Sequence, residues 1–357
     1  MDVKKIILTG GGTAGHVTPN MALIPDLKRA GWEVHYIGTK NSIEEDLISP
    51  IDGVFYHTIK SGKLRRYFDI KNFTDPFRVL AGIGQSLALV KKIGPKFVFS
   101  KGGFVSVPVV IGGWMNRVPV MIHESDLTPG LANKIAGKFA KKICATFPET
   151  MDYLPREKAV HTGTPIRPEL FKGEKKKGLT LCDFAPDKPV ILVMGGSLGS
   201  LAINNSIRSI LDRLTKRFSI VHICGRGHLD ERLEGKSGYR QFEYVSEDLA
   251  HLMAMANIII SRAGANSIYE FLALKKPSLL IPLPLSASRG DQILNARSFQ
   301  RQGFSKILMQ ENMTDDTLYE SIMDLQLNRD RYIKAMNESD MDNSIDLIFE
   351  QIDRLSN

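Results

Sequence analysis

Short, wholly apolar runs alternate with longer segments in which apolar residues recur every three or four positions. Ile6-Ile7-Leu8, Phe97-Val98-Phe99, Val190-Ile191-Leu192-Val193 and Ile258-Ile259-Ile260 have the length and composition of parallel strands buried on both faces. Further strands are expected at 33–38, 54–59, 118–123, 142–146, 220–224, 242–245 and 279–282. The helical period predicts helices over 20–30, 41–49, 73–93, 107–116, 131–141, 202–214, 268–273 and 291–299. In the longest of these Val79, Ile83, Leu87 and Val90 share a face, and Gly94-Pro95 is the stop signal. Strand and helix alternate throughout, which predicts an α/β protein with parallel sheets covered on both faces.

The alternation restarts near the middle. Gly10-Gly-Gly-Thr-Ala-Gly-His16 follows the first strand, and Gly195-Gly-Ser-Leu-Gly-Ser200 follows the first strand of the second half. A chain of 357 residues exceeds one ordinary core. Two Rossmann-like doubly wound domains facing across a cleft are expected, over 1–165 and 166–340, with 341–357 as a C-terminal helix packing back on the first. Lys172-Gly-Glu-Lys-Lys-Lys-Gly178 is the most linker-like stretch.

Composition narrows the class. A hydrophobic content of 43% with 24% charged residues is that of a soluble globular protein, and no apolar run has membrane-spanning length. Cys144, Cys182 and Cys224 are far apart within apolar runs, against a disulfide framework or zinc site and for a reducing compartment. The chain enters a strand at once, without a signal-peptide pattern, which reads as cytoplasmic. The net charge of +8 is uneven: 60–92 carries eight Lys/Arg against two Asp, whereas 311–357 carries twelve Asp/Glu against four Lys/Arg. Basic and aromatic residues interleave in Lys63-Leu64-Arg65-Arg66-Tyr67-Phe68, with Phe73, Phe77 and Arg78 beyond and Trp114, Met115 and Arg117 as further candidates. That pattern suits an anionic membrane surface; its bland counterpart is a set of core aromatics beside a solvated charged face.

The candidate chemistry sits at strand ends. Glycines let a backbone approach an anion or a sugar, and a helix N-terminus behind them offers free N–H groups. Gly10-x-Gly12-x-x-Gly15 resembles a dinucleotide fingerprint, though His16 after the last glycine is unusual. His16 is read as a base or acceptor-orienting group, against a capping or packing role. Ser197 suits a phosphate at a helix start, or a cap. Glu270 is placed to take sugar hydroxyls, as the Rossmann ribose acid does, or to lie on a solvated face. Arg167 can meet a diphosphate or form an interdomain ion pair. His123-Glu124-Ser125-Asp126 ends a strand with poor metal spacing, so hydrogen-bonding roles are favoured and no metal site is expected.

Taken in order, Gly10-Gly-Gly-Thr-Ala-Gly-His16, Lys101-Gly-Gly-Phe-Val-Ser106, His123-Glu124, Gly163-x-Pro-x-Arg167, Gly195-Gly-Ser-x-Gly199, Gly264-Ala…Glu270, and Asp291-Gln292…Asn295-Ala296 cover nearly the whole chain. Together they resemble the peptidoglycan glycosyltransferases of family 28. The resemblance implies the glycosyltransferase B-type fold. It implies inverting transfer of N-acetylglucosamine from UDP-N-acetylglucosamine to the 4-hydroxyl of the muramyl sugar of undecaprenyl-diphosphate-N-acetylmuramoyl-pentapeptide (lipid I), giving lipid II. By residue, Thr13, Ala14 and Gly15 would line the donor–acceptor gap beside His16. Arg167 and Ser197 would meet the diphosphate or its sugar, and Ser246 would face the uracil through its backbone. Ala265, Asn266, Ser267 and Glu270 would cradle the nucleotide with Glu270 on the ribose, and Gln292 would hold N-acetylglucosamine hydroxyls. It implies no required cofactor, peripheral attachment to the cytoplasmic membrane face, and cell-wall and division proteins as partners, not nucleic acid. Asp126 and Asp291 depart from the family, which often has Asn and Gln there, and Arg262 is a further local difference.

Inversion needs one displacement and one base, with positive groups for the departing UDP. Two rivals remain open on residues alone. A Rossmann dehydrogenase has only Glu33 at the spacing of the ribose acid. A nucleic-acid or membrane-binding protein without catalysis rests on 60–92.

Overall fold

Ile6, Ile7 and Leu8 are fully buried in the middle of a seven-stranded sheet. The computed structural model describes residues 3–62, 71–196, 199–339 and 343–356, with the backbone alone for 71–76. It contains two compact units, Met1–Arg167 with Asn343–Asn357, and Pro168–Asp342.

The first unit runs β1 (Lys4–Thr9), α1 (Thr18–Arg29), β2 (Trp32–Gly38), α2 (Ile43–Ile48), β3 (Val54–Thr58), α3 (Lys71–Ile93), β4 (Phe97–Ser100), α4 (Ser106–Met115), β5 (Val120–Glu124), α5 (Leu131–Ala136), β6 (Lys142–Ala145) and β7 (Ala159–His161). Its strand order is β3-β2-β1-β4-β5-β6-β7, and every pairing is parallel. Alternate residues of β1 feed opposite cores. Ile6 and Leu8 pack with Leu23, Leu27, Tyr36 and Phe99; Ile7 packs with Ile37, Val98, Val109 and Ile122. The last helix, numbered α14 (Ser344–Ser356) in chain order, places Ile348 and Ile352 in the first of these cores. Ser344 Oγ donates to Thr164 O at 2.9 Å.

The second unit runs α6 (Lys175–Cys182), β8 (Val190–Met194), α7 (Leu201–Ser209), α8 (Leu211–Thr215), β9 (Ser219–Ile223), β10 (Tyr239–Phe242), α9 (Leu249–Met255), β11 (Ile258–Ser261), α10 (Ala265–Ala273), β12 (Ser278–Leu280), α11 (Asp291–Arg301), β13 (Ser305–Ile307), α12 (Asp315–Leu327) and α13 (Arg329–Asn337). Its order, β10-β9-β8-β11-β12-β13, is again wholly parallel. In both units the third, second and first strands precede the fourth, which is the doubly wound arrangement. The chain reverses direction across each sheet between β1 and β4, and between β8 and β11. Ligands of such sheets bind outside the strand carboxyl ends at that reversal.

Several elements differ from expectation. The linker-like lysine run is α6, packed on α9: a Cβ on Gly178 would lie 2.4 Å from His251 O. Its lysines are the solvated face and its glycine the contact. The edge strand β10 lies earlier than expected, because polar residues occupy it: Gln241 Oε1 accepts from Arg208 Nη2 and from Asp230 N. The helix expected over 202–214 breaks at Ile210, whose ψ is 10°. The one expected over 131–141 stops at Gly137, whose Cβ would meet Asn133 O at 3.0 Å.

The helices α3 and α4 run side by side in the same direction. A Cβ on Gly82 would lie 3.3 Å from Pro108 Cγ, and one on Gly112 would lie 2.9 Å from Ser86 Cβ. Asn116 Nδ2 donates to Leu87 O at 3.1 Å. Trp114 is therefore level with the residues after Leu87, about 15 Å along the helix from Phe77 at 1.5 Å per residue. This corrects the grouping of Trp114, Met115 and Arg117 with the patch around Phe77. Lys63 to Phe68 lie outside the described residues, as does the side chain of Phe73.

Alanine for a helical glycine normally stabilises by about 0.5–1 kcal/mol. Gly178→Ala is instead expected to destabilise by about 1–3 kcal/mol, the cost of an overpacked contact. A lower urea midpoint checks this; an unchanged or higher one would restore the linker reading.

Candidate functional site

The main chain after β1 is held from several sides. Tyr36 OH donates to Gly10 O at 2.6 Å, and Asn20 Nδ2 donates to Thr9 O at 3.1 Å. The buried carboxylate of Glu44 accepts from Gly12 N at 3.1 Å, Thr39 N at 3.2 Å and Thr39 Oγ1 at 2.6 Å. Sequence reading missed Glu44, since an acid in the first turn of a short helix is ordinary; only the pairing of β2 with its neighbours brings it beneath the turn. The turn after β4 docks on the same backbone. Gly11 N donates to Gly102 O at 3.3 Å, and Gly103 has φ +84° where a Cβ would lie 2.2 Å from Gly11 O.

Thr13, Ala14, Gly15 and His16 follow at this edge, with Ala14–His16 forming a short 3-10 turn ahead of α1. His16 Nδ1 lies 3.1 Å from Gly11 O and 3.1 Å from Thr13 Oγ1. A carbonyl only accepts, so Nδ1 carries the ring proton and Nε2 keeps its lone pair. Burial holds His16 below the usual 6.5; the charge of Asp126 opposes this and that of Lys101 reinforces it. The ring is therefore neutral at neutral pH, with one basic nitrogen.

Beneath this turn Lys101 is completely buried. Its Nζ lies 2.6 Å from His123 Nδ1 and 3.3 Å from Thr164 Oγ1, while His123 Nε2 lies 2.7 Å from Gly163 O. The same carbonyl rule makes His123 a donor at Nε2 and an acceptor at Nδ1. Burial pushes Lys101 down to about 7 and His123 well below 6.5. Glu124, raised to about 7 by burial and by Asp126, accepts from Asp126 N at 3.1 Å, Gly130 N at 3.0 Å and Asn133 Nδ2 at 2.9 Å. Glu124 thus braces the loop that carries Asp126, while His123 ties Lys101 to the Gly163 carbonyl.

In the second unit Gly196 and Gly199 have φ +92° and +77°, and a Cβ on Gly199 would lie 2.1 Å from Cys224 O. Ser197 lies outside the described residues. Gly264 caps α10, which begins with Ala265, Asn266 and Ser267 and buries Glu270 one turn on. Gln292, in the first turn of α11, accepts from Leu283 N at 3.1 Å, and Asn295 Nδ2 donates to Ala263 O at 3.3 Å. Asp291 pairs with Arg289 at 2.8 Å. Ser246 is exposed, and its carbonyl accepts from Leu249 N at 3.3 Å. Arg167 is the last residue of the first unit.

Within the first unit, Thr13 to His16 therefore stand at the β1/β4 reversal. Within the second, the turns after β8 and β11 adjoin at the corresponding reversal, with Gln292 tied to the neighbouring strand end. Arg262 joins the latter turns: its Nη2 donates to Ser200 Oγ at 2.7 Å.

Residues 6–145 match the Glycosyltransferase family 28 N-terminal domain, and residues 190–352 match the Glycosyltransferase family 28 C-terminal domain. A Clostridium tetani protein named UDP-N-acetylglucosamine--N-acetylmuramyl-(pentapeptide) pyrophosphoryl-undecaprenol N-acetylglucosamine transferase is 57% identical over 351 residues, covering 98% of each chain. A Geobacillus kaustophilus protein of the same name is 57% identical over 336 residues, 94% of each. The crystal structure of Acinetobacter baumannii MurG superposes with a TM-score of 0.75 at 26% identity, covering 97% of this chain and 99% of that one. Both halves match in order, and the relatives match from end to end, so the chain belongs to glycosyltransferase family 28.

Proposed function

We infer that the protein is an N-acetylglucosaminyltransferase. It moves N-acetylglucosamine from UDP-N-acetylglucosamine to the muramyl sugar of a pentapeptide-bearing pyrophosphoryl-undecaprenol, forming lipid II for peptidoglycan. The observation that carries the catalytic reading is the hydrogen bond between His16 Nδ1 and Gly11 O, which leaves Nε2 as the ring's proton acceptor. Nε2 takes the proton of the acceptor hydroxyl as that oxygen attacks the anomeric carbon. The bond from that carbon to the phosphate oxygen breaks, UDP leaves with the electron pair, and the anomeric configuration inverts. Thr13, Ala14 and Gly15 present backbone to the acceptor, and Thr13 also steadies the ring.

The donor belongs to the second unit in this reading. The N-termini of α7 and α10 supply positive charge to the diphosphate, with Arg167 and Ser197 as further contacts. Ala265, Asn266 and Ser267 approach the nucleotide, Glu270 takes the ribose hydroxyls, Ser246 meets the base through its backbone, and Gln292 holds the transferred sugar. These groups supply the charge stabilisation, so the reading needs no cofactor.

Among the described residues no helix is long and apolar enough to cross a membrane. A lipid-linked acceptor requires the enzyme to reach a bilayer surface, and the start of α3 suits that task. Phe77 and Leu80 are 74% and 65% exposed there with Arg78 between them in the sequence, and Lys63, Arg65 and Arg66 come eleven to fourteen residues before Phe77. Exposed apolar residues beside several cations give reversible attachment to anionic lipid, each cation contributing about 1 kcal/mol.

His16→Ala is expected to lower kcat by roughly 10²–10⁴-fold, the usual value of a general base, with donor affinity nearly intact. In the unaltered enzyme protonation of Nε2 abolishes the base. Activity is therefore retained above the folded-state pKa of His16 and lost as pH falls through it, with the acid-limb midpoint below 6.5. A near-normal kcat in the variant would return His16 to a packing role.

Glu270→Ala is expected to weaken UDP-N-acetylglucosamine binding by about 10–100-fold, as loss of a hydrogen bond to a charged group does, with the fold retained. Calorimetry checks this, and unchanged affinity removes Glu270 from the donor site.

Flotation with anionic vesicles tests the membrane surface. Binding is expected to fall with added salt and to drop in Phe77→Ser/Leu80→Ser, while Trp114→Ser, at the other end of the paired helices, floats as the unaltered protein does. Equal flotation on neutral vesicles would overturn this assignment.

A further inference from the structure

Arg262 is almost wholly buried behind the turns after β8 and β11. Its Nη1 donates to Ile281 O at 3.0 Å and Pro282 O at 3.2 Å, and its Nη2 donates to Ser200 Oγ at 2.7 Å and Gln310 Oε1 at 2.7 Å. One guanidinium therefore ties together the start of α7, the end of β12 and the segment after β13. Neither Arg262 nor Ser200 has a part in the mechanism above.

The chemistry of Ser200 makes the link informative. A hydroxyl has two lone pairs and one hydrogen. Ser200 Oγ accepts from Arg262 and, at 3.4 Å, from Ile203 N, as the N-cap of α7. Guanidinium and amide groups only donate, so both lone pairs are engaged. The hydroxyl hydrogen is what remains, and among the described residues it has no acceptor. It belongs to the residue that closes the 195–200 turn, directly before the helix N-terminus assigned to the donor diphosphate. A phosphate oxygen is the partner this arrangement lacks.

We propose that Ser200 donates its hydroxyl hydrogen to the donor diphosphate, and that Arg262 is the positioning residue that fixes the hydroxyl in the donating orientation. The proposal rests on the second unit holding the UDP-sugar. It predicts a selective defect: loss of the Ser200 hydroxyl affects ligands carrying the diphosphate and spares those without it, whereas loss of a mere helix cap affects both alike.

Calorimetry or competition with UDP and with uridine separates these. Ser200→Ala is expected to weaken UDP by about 10–100-fold and to leave uridine unchanged. Arg262→Gln is expected to do the same, and to add nothing to the UDP defect once Ser200 is alanine, because it acts through that hydroxyl. Ser200→Ala carries the test alone if Arg262→Gln does not fold. Equal losses for UDP and uridine, or no loss for UDP, would overturn the proposal. Glu270→Ala serves as the independent control, since a ribose contact weakens both ligands. If it changes neither while Ser200→Ala still separates UDP from uridine, the ribose assignment fails and the phosphate role of Ser200 stands. If it weakens both while Ser200→Ala weakens neither, the donor reading stands and the Ser200 proposal fails.

Discussion

The edge of the first unit that carries His16 depends on one close approach of main chain to main chain. Gly103 lies so near the carbonyl of Gly11 that no Cβ fits between them, and its φ of +84° suits glycine. That contact fixes the Gly11 carbonyl in space. The carbonyl fixes the proton of His16 on Nδ1, and so decides which nitrogen is basic. Glu44, Tyr36 and Asn20 restrain the same few peptide groups from below. A rigid scaffold thus holds the His16 ring in one geometry, with its Nδ1 against Gly11 and Thr13.

The ionisable groups under that edge are governed first by burial. Lys101 and His123 are both denied easy protonation by burial, and each occupies the place where a proton on the other would repel. Their hydrogen bond, together with Gly163 and Thr164, gives the polar atoms of this interior partners. Asp126 pulls His16 toward protonation while burial and Lys101 push the other way. The ring stays neutral because desolvation is the largest of these influences.

Much of the architecture was legible in the sequence because the central strands are continuous apolar runs and the glycine turns stand at their ends. Ile6–Leu8, Val190–Val193 and Ile258–Ile260 could be little else than buried parallel strands. The edge strands were harder. The polar positions of β10 are satisfied by side-chain partners distant in sequence, and no local pattern announces Arg208 or Asp230. Gly178 misled because a glycine among lysines looks like a hinge when the helix it packs against is unseen. The glycine turns and His16 were readable for the same local reason as the strands. The supports of those turns were not: Glu44 and Arg262 matter only through partners brought near by strand order.

The final helix has a consequence for how the protein is made. Ile348 and Ile352 complete a core that begins with Ile6, yet the whole of Pro168–Asp342 is synthesised between them. In terms of topology the second unit is an insertion within the first. On a ribosome the second unit can assemble as soon as it emerges, while the first waits, the part of its core that Ile348 and Ile352 fill still open, until residues beyond 343 appear. The order of birth along the chain is thereby reversed in the order of completion, and the earliest strands are the last to be sealed.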